Sequence, residues 1–379
     1  MFPSQKLVLS VASDVIGKSD RHHPADAMLR HELTAQRRFP QELKAEVSRA
    51  VFSYYRWLGW LDIGQPLAAQ VERALELADA FAVRPQTFSD EKLIERAVPA
   101  WVRDAMNVNG SWVRAIQSEP KLWLRAKRGQ GIALATKLGL AGTLDPPALP
   151  DAVLYEGEED LFRRTEFHAG EFEVQDIASQ AVSRLCDPTP GETWWDTCAG
   201  EGGKMLHLSD LMGNKGLIWV SDRAEWRLKN LKRRAARAQA FNYRFATWNG
   251  GEKPPTKTKF DGVLVDAPCS GIGTWQRNPH ARWTTAPEEV PELAEIQTHL
   301  LSCAAPAVKP GGRLIYAVCT LTYEETIAVA KAFTSVFAGF EPTPLANPFN
   351  SSDPPSPLLT LWPQNTGGNG MFVAVWRRT

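Results

Sequence analysis

Two cysteines and an aspartate follow apolar runs that are typical of buried strands. Asp266 ends the run Gly262–Asp266 and Cys269 comes three residues later, while Cys319 directly follows the run Arg313–Val318. A carboxylate can hold or exchange a proton, and a thiol becomes a strong nucleophile once it is deprotonated. The alternative for either thiol is a buried cysteine that packs as a small hydrophobic residue. Because two thiols and a carboxylate share this kind of position, we favour a chemical site.

A glycine-rich loop offers a second group of contacts. It runs from Asp196 to Lys204 with the sequence DTCAGEGGK, which matches neither the GxxxxGK[ST] nor the GxGxxG pattern. Glycines let backbone N–H groups approach a ligand closely, and the start of a helix favours negative charge. The run Leu217–Ser221 leads to Asp222, whose carboxylate could hold ribose hydroxyls. The loop and Asp222 together predict a site for a nucleoside-type cofactor.

Strands that alternate with helices are the elements that must position these groups. From Glu171 onward, short apolar runs alternate with segments of helical periodicity, which predicts a doubly wound and mostly parallel sheet. Ligands of such sheets bind beyond the carboxyl ends of the strands. We therefore expect both thiols, Asp266 and the glycine-rich loop at one edge of the sheet. The predicted strands are Thr193–Thr197, Leu217–Ser221, Tyr243–Thr247, Gly262–Asp266, Arg313–Val318 and Met371–Trp376.

The residues before this region have two other patterns. Apolar residues recur at helical spacing over Leu43–Leu61 and Leu67–Phe81, which predicts an all-helical domain. After it, Lys121–Arg125 alternates like a strand and Ile132–Leu140 has helical spacing, which predicts a small β/α subdomain. The predicted domains are residues 1–108 (helical), 109–170 (small β/α) and 171–379 (doubly wound α/β).

Basic residues are concentrated in two places, although the whole chain carries 43 basic and 43 acidic residues. In the first place, basic side chains alternate with Trp112 and Trp123. Such a pattern either holds a phosphate backbone and stacks on bases or forms a solvated charged face, and both interpretations stay open. The basic residues of this cluster are Arg114, Lys121, Arg125, Lys127 and Arg128.

The second basic cluster lies on the predicted helix Arg223–Ala240. Only Glu225 is acidic there, so like charges lie within a turn of one another and repel. A phosphate-rich partner would relieve this repulsion, and we favour such a partner over a solvated face. The basic residues of this cluster are Arg227, Lys229, Lys232, Arg233, Arg234 and Arg237.

Cysteine usage and hydropathy exclude several classes of protein. Five cysteines, an odd number without CxxC pairs, argue against a disulfide framework and against a zinc site. The apolar runs are too short to cross a membrane, and the N-terminal residues lack a hydrophobic signal region. His280, in a polar and basic segment, is expected to face solvent. We therefore expect a cytoplasmic protein with no metal and no membrane partner.

Four segments carry a further pattern in a fixed order. They are DTCAGEGGK, VSD, DAPCSGIGT followed by RNPHARW, and KPGGRLIYAVCT followed by TYEET. Together they resemble the RsmB/Nop2/Sun family of RNA 5-methylcytosine methyltransferases over most of residues 112–379. The first hundred residues are similar, more faintly, to the NusB-like RNA-binding domain of bacterial members. The resemblance implies a Rossmann-like methyltransferase fold, an RRM-like small subdomain and S-adenosyl-L-methionine as cofactor.

The implied reaction transfers a methyl group to carbon 5 of a cytosine in RNA, with rRNA favoured over tRNA and a monomer favoured. Carbon 5 is a weak nucleophile, so a thiolate must first add at carbon 6, and a base must later remove the carbon-5 proton. By resemblance, Cys319 is the nucleophile and Cys269 assists release of the product. Asp266 would hold the cytosine edge, and Lys204 would also reach the target base, which must be single-stranded or flipped out.

The resemblance also implies a set of cofactor contacts, in which Asn249 stands where an aspartate is expected. Two other departures from the family are Val318, where threonine is usual, and Thr326, where asparagine is common. Two alternatives stay open: a non-catalytic RNA-binding or ribosome-assembly factor with the same fold, and a DNA cytosine methyltransferase that uses Cys269 as nucleophile. The implied cofactor contacts are Cys198, Ala199, Gly200, Glu201, Gly202, Gly203, Lys204, Asp222, Arg223, Arg227, Asn249 and Asp266.

Overall fold

The computed structural model describes residues 3–140 and 148–379 and divides into two compact units. The first, the helical unit, comprises Met1–Pro120 and Gly271–Glu289. The second, the sheet unit, comprises Lys121–Ser270 and Val290–Thr379. The three domains expected from the sequence have other bounds than these units, and that division stays a prediction. Part of the expected small subdomain, residues 141–147, lies outside the described residues.

Helices dominate the first third of the chain, and strands alternate with helices after it. The helices are α1 (Pro3–Gly17), α2 (Ala25–Ala35), α3 (Gln41–Trp57), α4 (Leu67–Val83), α5 (Asp90–Arg96), α6 (Val102–Ala105), α7 (Gly110–Gln117), α8 (Gly131–Lys137), α9 (Thr165–His168), α10 (Ile177–Leu185), α11 (Gly203–Leu211), α12 (Glu225–Arg237), α13 (Ala281–Thr284), α14 (Glu289–Ala304), α15 (Val329–Val336) and α16 (Pro363–Thr366). The strands are β1 (Leu122–Ala126), β2 (Ala152–Tyr155), β3 (Phe172–Val174), β4 (Thr193–Asp196), β5 (Leu217–Asp222), β6 (Tyr243–Thr247), β7 (Phe260–Asp266), β8 (Val308–Val318), β9 (Phe340–Pro342), β10 (Leu358–Leu361) and β11 (Met371–Arg378).

The helical unit contains α1–α7 and α13. Helices α3 and α4 have the predicted helical spacing, although α3 ends at Trp57 and a short 3₁₀ turn, Leu58–Trp60, follows it. Val47, Val51 and Val71 are fully buried in the core of this unit. Because apolar residues recur every three or four positions, each helix buries one stripe and exposes the rest.

The larger sheet of the sheet unit has the strand order β10-β11-β8-β7-β4-β5-β6, with β9 paired to β11. Strands β6, β5, β4, β7 and β8 are parallel to their neighbours, which confirms the predicted doubly wound fold. Strand β11 is antiparallel to both β8 and β10. The connection from β10 to β11 is short, and a parallel pair would need a crossover of about a dozen residues or more.

Helices cover both faces of this sheet because alternate residues of each strand point to opposite faces. Leu264 of β7 and Ile315 of β8 share one core with apolar residues of α10, α11 and α12. Val263 and Val265 share the other core with residues of α14 and α15. Strands buried on both faces read as continuous apolar runs, which explains why β7 and β8 could be predicted.

A smaller antiparallel sheet has the order β2-β1-β3. The predicted strand Lys121–Arg125 corresponds to β1, and the predicted helix Ile132–Leu140 corresponds to α8. Leu124 of β1 lies opposite Val153 of β2 and Val174 of β3. Strands β2 and β3 are four and three residues long, which is too short for a periodic signal in the sequence.

Candidate active site

The strand order of the larger sheet reverses at β4. Strand β4 lies between β5 and β7, so the chain moves outward on one side of β4 and then returns to its other side. A crevice at such a point is the usual ligand site of an open α/β sheet. Asp196, Asp222 and Asp266 are the last residues of β4, β5 and β7, and Cys319 follows β8. The predicted acidic and thiol groups therefore share one edge of the sheet.

The two predicted cysteines lie side by side at this edge. Their Sγ atoms are 3.3 Å apart, far longer than a disulfide bond of about 2.05 Å. The pairing of β7 with β8 explains the convergence, because Asp266 lies opposite Ala317 in adjacent parallel strands. Cys269 and Cys319 come three and two residues after this pair, and both are partly buried. Two thiols can therefore face one substrate group.

A partly buried ion pair lies at the same edge of the sheet. Nζ of Lys204, in the first turn of α11, lies 2.6 Å from Oδ2 of Asp266. The side chains are 11% and 26% exposed. Burial lowers the pKa of Lys204, but the charge and hydrogen bond of Asp266 outweigh it and raise that pKa overall, with a smaller contribution from Cys319. Lys204 is therefore a fixed cation beside the carboxylate, within electrostatic range of a thiolate.

Asp196 is a third acidic residue of the site, although its sequence pattern indicated only the start of the glycine-rich loop. Its side chain is fully buried at the end of β4, and neither carboxylate oxygen has a hydrogen-bond partner of good geometry. Burial, and then the charge of Asp266, raise the pKa of Asp196 to about 8, although the Cys198 amide and Lys204 oppose this shift. The group is therefore largely protonated at neutral pH.

The glycine-rich loop is held by the carboxylate of Asp222. Its Oδ2 accepts the N–H of Gly200 at 2.9 Å, and its Oδ1 accepts the N–H of Ala224 at 2.8 Å. Gly202 caps α11 with a φ of +88°, a conformation that favours glycine. A Cβ placed on Gly200 or Gly203 would meet no atom within 4 Å, so the backbone there borders open space. A ligand can thus approach the loop closely.

The other predicted contacts of this loop have defined surroundings. The N–H of Ala199 donates to the carbonyl of Ser221 at 2.9 Å. Burial raises the pKa of Cys198 to about 12, so this thiol stays protonated. Glu201 is exposed, and its carboxylate accepts a hydrogen bond from Asn230 at 2.9 Å. Cys198 is therefore unsuited to act as a third nucleophile.

Three predicted cofactor contacts lie further out at the same edge. Arg223 is exposed directly after β5, and Nη1 of Arg227 lies 3.7 Å from Oδ2 of Asp222. Asn249 is also exposed, and its Oδ1 accepts the N–H of Gly251 at 3.2 Å. The side chain of Asn249 is thus partly engaged with its own turn.

Four of the basic residues beside Trp112 and Trp123 form hydrogen bonds within their own unit. In the helical unit, Trp112 is fully buried, and Arg114 donates to Asp90 at 2.7 Å. In the sheet unit, the buried Arg125 donates to Gln175 at 2.7 Å. Lys127 and Arg128 bond to the carbonyls of Ala238 and Leu211. These side chains also make contacts within the fold, but Lys121 and Arg128 are exposed, so both interpretations of the cluster stay predictions.

The expectation that almost nothing offsets the charges of α12 is also wrong. Arg234 and Arg237 both form ion pairs with Glu173 of β3, and the guanidinium of Arg237 lies 3.8 Å from the ring centroid of Phe167. Glu173 lies some sixty residues earlier in the chain, beyond the reach of a local pattern. Lys229 pairs with Glu225 at 3.3 Å, but both side chains are largely exposed.

His280 is buried rather than exposed. Only 3% of the residue is accessible, and its ring packs edge-on against Tyr55 at 4.6 Å within the helical unit. Burial lowers the pKa of His280. The polar neighbours of His280 in the sequence suggested a solvent-facing loop, but Gln276 and Arg282 of the same segment are buried as well.

Sequence analysis also missed Glu325, which is fully buried close to both cysteines. Its carboxylate accepts hydrogen bonds from Ser270, Thr320 and Thr322. The one local signal is the pattern Thr322-x-x-Glu325, which is typical of a helix N-terminus. That pattern predicts a cap and gives no hint of the partner fifty-five residues away.

Neither a membrane-spanning helix nor a metal cluster is found within residues 3–140 and 148–379. No helix in that part of the chain is long and apolar enough to cross a bilayer. No three His, Cys, Asp or Glu side chains there are grouped so that they could hold a metal ion. None of the five cysteines forms a disulfide.

The strand order and the loop after β4 define a Rossmann-like methyltransferase fold. A solved methyltransferase homolog protein from Pyrococcus horikoshii shares this fold with a TM-score of 0.60 and 26% identity, covering 71% of this chain and 90% of that one. The family model described as 16S rRNA methyltransferase RsmB/F matches residues 183–377, and the chain belongs to that family. The family resemblance seen in the sequence is thereby confirmed.

Two curated relatives show how far the likeness extends. A probable ribosomal RNA small subunit methyltransferase B from Synechocystis is 37% identical over 220 residues, which are 55% of this chain and 48% of that protein. A ribosomal RNA small subunit methyltransferase B from Cronobacter sakazakii is 32% identical over 293 residues, which are 74% of this chain and 64% of that protein. The chain thus spans about half to two thirds of the length of these relatives.

Proposed function

We propose that this protein transfers a methyl group from S-adenosyl-L-methionine to carbon 5 of a cytosine in rRNA. The observation that carries the proposal is the 3.3 Å distance between the Sγ atoms of Cys269 and Cys319. Methylation at carbon 5 needs one thiolate that adds to the ring and a second group that assists release at the same base. A cysteine that only packs in a core needs no such neighbour. The family description supports RNA as the substrate.

The residues around the glycine-rich loop fit S-adenosyl-L-methionine. The backbone at Gly200 and Gly203 borders open space, and Asp222 ends β5 where ribose hydroxyls are held in this architecture. The bound cofactor supplies an electrophilic methyl group on a sulfonium. The proposed contacts are Cys198, Ala199, Gly200, Glu201, Gly202, Gly203, Lys204, Asp222, Arg223, Arg227, Asn249 and Asp266.

Cys319 is the nucleophile in the proposed mechanism. Its thiolate electron pair forms a bond to carbon 6 while the C5–C6 double bond opens, which makes carbon 5 nucleophilic. Asp266 holds the N3/N4 edge of the cytosine, and Lys204 balances its charge. After carbon 5 has gained the methyl group, loss of the carbon-5 proton restores the double bond and expels the Cys319 thiolate. Cys269 assists this release, and one methyl gained for one proton lost balances the reaction.

The two cysteines make opposite predictions when each is replaced. Cys319→Ala should abolish any protein–RNA adduct that survives denaturation, because no sulfur is left to add at carbon 6. Cys269→Ala should accumulate that adduct, because release is slowed after the bond has formed. Denaturing gel electrophoresis with labelled RNA measures both outcomes. Cys303→Ala is the matched control, since this buried cysteine lies on α14 and should leave adduct levels unchanged.

Adducts that required Cys269 instead of Cys319 would contradict the assignment and favour the DNA cytosine methyltransferase. Cofactor binding without methyl transfer to any RNA would favour the non-catalytic RNA-binding factor. Bisulfite sequencing of total RNA with and without the gene would identify the modified cytosine. If loss of the gene changes the methylation of no cytosine in any RNA, the proposed function is refuted.

The remaining proposals concern partners and organisation. We propose that residues 1–108 act as a NusB-like RNA-binding domain, residues 109–170 as an RRM-like subdomain and residues 171–379 as the catalytic domain. Because the proposed substrate is rRNA, the protein would act in the cytoplasm, and we favour a monomer. The exposed basic residues of α12 that remain without a buried acidic neighbour support contact with RNA phosphates.

A further inference from the structure

One carboxylate lies between the two segments that carry the cysteines. Glu325 belongs to a π-helical turn after β8, and its side chain is fully buried. Its Oε1 accepts the N–H of Ser270 at 2.8 Å, and its Oε2 accepts the hydroxyl of Thr320 at 3.1 Å. Ser270 directly follows Cys269, and Thr320 directly follows Cys319. The same carboxylate therefore bonds to the neighbour of each thiol.

Further donors complete the surroundings of this carboxylate. The hydroxyls of Ser270 and Thr322 donate to Oε2 at 2.5 and 2.9 Å, and Nε2 of Gln297 donates to Oε1 at 3.0 Å. The hydroxyls of Ser270 and Thr320 are also 2.8 Å apart. A buried carboxylate without such donors would be strongly unfavourable. The donors from three segments therefore gather around Glu325 because its charge has to be compensated there.

A second layer of side chains fixes Glu325 itself. Nε2 of Gln297, on α14, also donates to the carbonyl of Pro268 at 2.9 Å. The hydroxyl of Tyr316, on β8, lies 2.8 Å from Oε1 of Gln297 and 2.6 Å from the carbonyl of Glu325. Gln297 and Tyr316 are fully buried. The residues just before and just after Cys269 are thus both bound to this network.

We propose that Glu325 is a positioning residue that holds the Sγ atoms of Cys269 and Cys319 at their short separation. It acts through Ser270 and Thr320, because hydrogen bonds to a charged acceptor are stronger than those between neutral groups. The role in methyl transfer rests on the proposed function. The separation of the two sulfurs, however, can be tested without RNA or cofactor.

The test measures how fast diamide oxidises the two thiols to a disulfide, a step in which two electrons and two protons pass from the thiols to diamide and reduce it to the hydrazine. Sulfurs 3.3 Å apart need to move only about 1.3 Å to bond, so the wild-type protein should form the disulfide rapidly, a step called closure below. Glu325→Gln keeps the shape but replaces one acceptor oxygen by a donor. We expect it to slow closure about tenfold or more. Peptide mapping identifies the Cys269–Cys319 bond.

The matched control is Glu324→Gln, the same substitution at the exposed residue next to Glu325. It should close at the wild-type rate. If Glu325→Gln does not fold, Thr320→Val removes a single donor with little change of shape and should also slow closure. Wild-type closure rates in Glu325→Gln, or in Thr320→Val where the first variant is unfolded, would overturn the proposal. If Glu325 only stabilised the fold, Glu325→Gln would lower the Tm but would not slow disulfide formation at lower temperature.

Methyl-transfer kinetics separate this proposal from the proposed function. If both hold, Glu325→Gln should lower kcat by about tenfold or more and leave KM for S-adenosyl-L-methionine unchanged, because none of the residues bonded to Glu325 is a proposed cofactor contact. A wild-type protein that modifies no RNA, but whose disulfide closure still depends on Glu325, would refute methyl transfer and leave the positioning role intact. If the protein methylates RNA but its disulfide formation does not depend on Glu325, the positioning role is refuted and methyl transfer stands.

Discussion

At the scale of single residues, three carboxylates of the sheet edge differ in what surrounds them. Asp222 accepts two backbone N–H groups, and Asp266 is paired with Lys204. Asp196 is fully buried without a well-formed hydrogen bond. Carboxylates whose surroundings differ in this way take different protonation states at one pH. The edge thus combines a carboxylate bound by backbone N–H groups, a carboxylate paired with Lys204, and a buried acid whose pKa is raised.

The raised pKa of Asp196 predicts a pH dependence of stability. Its pKa is about 8 in the folded protein and about 3.9 when unfolded. Because the pKa of the folded protein is the higher one, the contribution of Asp196 to the free energy of unfolding is fully present below about pH 4. It is lost as the pH rises through about 8. Asp196→Asn removes this titration. The Tm of the wild-type protein should therefore fall relative to that of the variant between pH 5 and pH 8.

Thermal unfolding at several pH values measures the difference in Tm between the two proteins. The absolute Tm of Asp196→Asn carries no weight here, since the new amide also changes the buried contacts. Only the change of the difference with pH reports on the carboxylate. A difference that stays constant across this range would show that Asp196 has the same protonation state in both forms.

At the scale of elements, most strands could be predicted from the sequence, but β2, β3, β9 and β10 could not. The central parts of β7 and β8, Val263–Val265 and Leu314–Val318, are apolar and buried because helices cover both faces of the sheet. Strands β2, β3, β9 and β10 span three or four residues, and unlike the equally short β4 they do not lead through a glycine-rich loop into a helix. The partner of α12 was missed for another reason, since Glu173 is remote in the sequence from Arg234 and Arg237.

The candidate site followed from the same logic. Side chains at the carboxyl ends of parallel strands lie at one edge of the sheet, so the order of elements predicted Cys269 and Cys319 at that edge, and the family resemblance predicted that both act on one base. The buried carboxylate of Glu325 could not be expected, because its partners come from segments joined only by the fold. Sequence patterns locate groups on elements, whereas hydrogen bonds between elements depend on packing.

Two neighbouring glycines of the loop between β4 and α11 should differ in how alanine substitution changes the stability of the protein. Gly202 has a φ of +88°, and a Cβ there would lie 2.6 Å from Cγ of Leu231. Gly203 has no such φ, and a Cβ there would meet nothing within 4 Å. Gly202→Ala should therefore lower the free energy of unfolding by about 1–2 kcal/mol from backbone strain, and by more if Leu231 cannot move.

Gly203→Ala is the matched control for that substitution, because alanine favours a helix more than glycine does. It should leave the free energy of unfolding unchanged or raise it by up to about 1 kcal/mol. Urea unfolding of the three proteins measures both effects. Equal destabilisation by the two substitutions would show that the loop does not have this backbone conformation.

At the scale of the whole molecule, the chain returns to the helical unit shortly after Cys269. The segment Gly271–Glu289 belongs to the same compact unit as Met1–Pro120, although the sequence suggested that it was part of the α/β domain. Trp275 packs edge-on against Trp101, and the indole N–H of Trp283 donates to the carbonyl of Tyr55 at 2.7 Å. This membership was not visible in the sequence because its contacts are more than 160 residues away along the chain.

Arg282 anchors this segment within the helical unit. It is fully buried, and its guanidinium donates to the carbonyls of Ala97, Ile116 and Trp275 and to the side chain of Gln117. These acceptors are neutral, so burial and the nearby charge of Arg56 lower the pKa of Arg282. Since the charge is bound by several oxygens at once, removing it leaves buried carbonyls without donors.

We expect Arg282→Met to lower the free energy of unfolding by about 3 kcal/mol or more, because several buried acceptors each lose a partner. Hydrogen exchange should increase in peptides from α7, which contributes two of these acceptors. Arg277→Met, at an exposed position of the same segment, is the control and should change stability by less than about 0.5 kcal/mol. Equal stability of the two variants in urea would mean that burying the uncompensated charge costs as much as its hydrogen bonds contribute, and that the segment is held by its tryptophans instead.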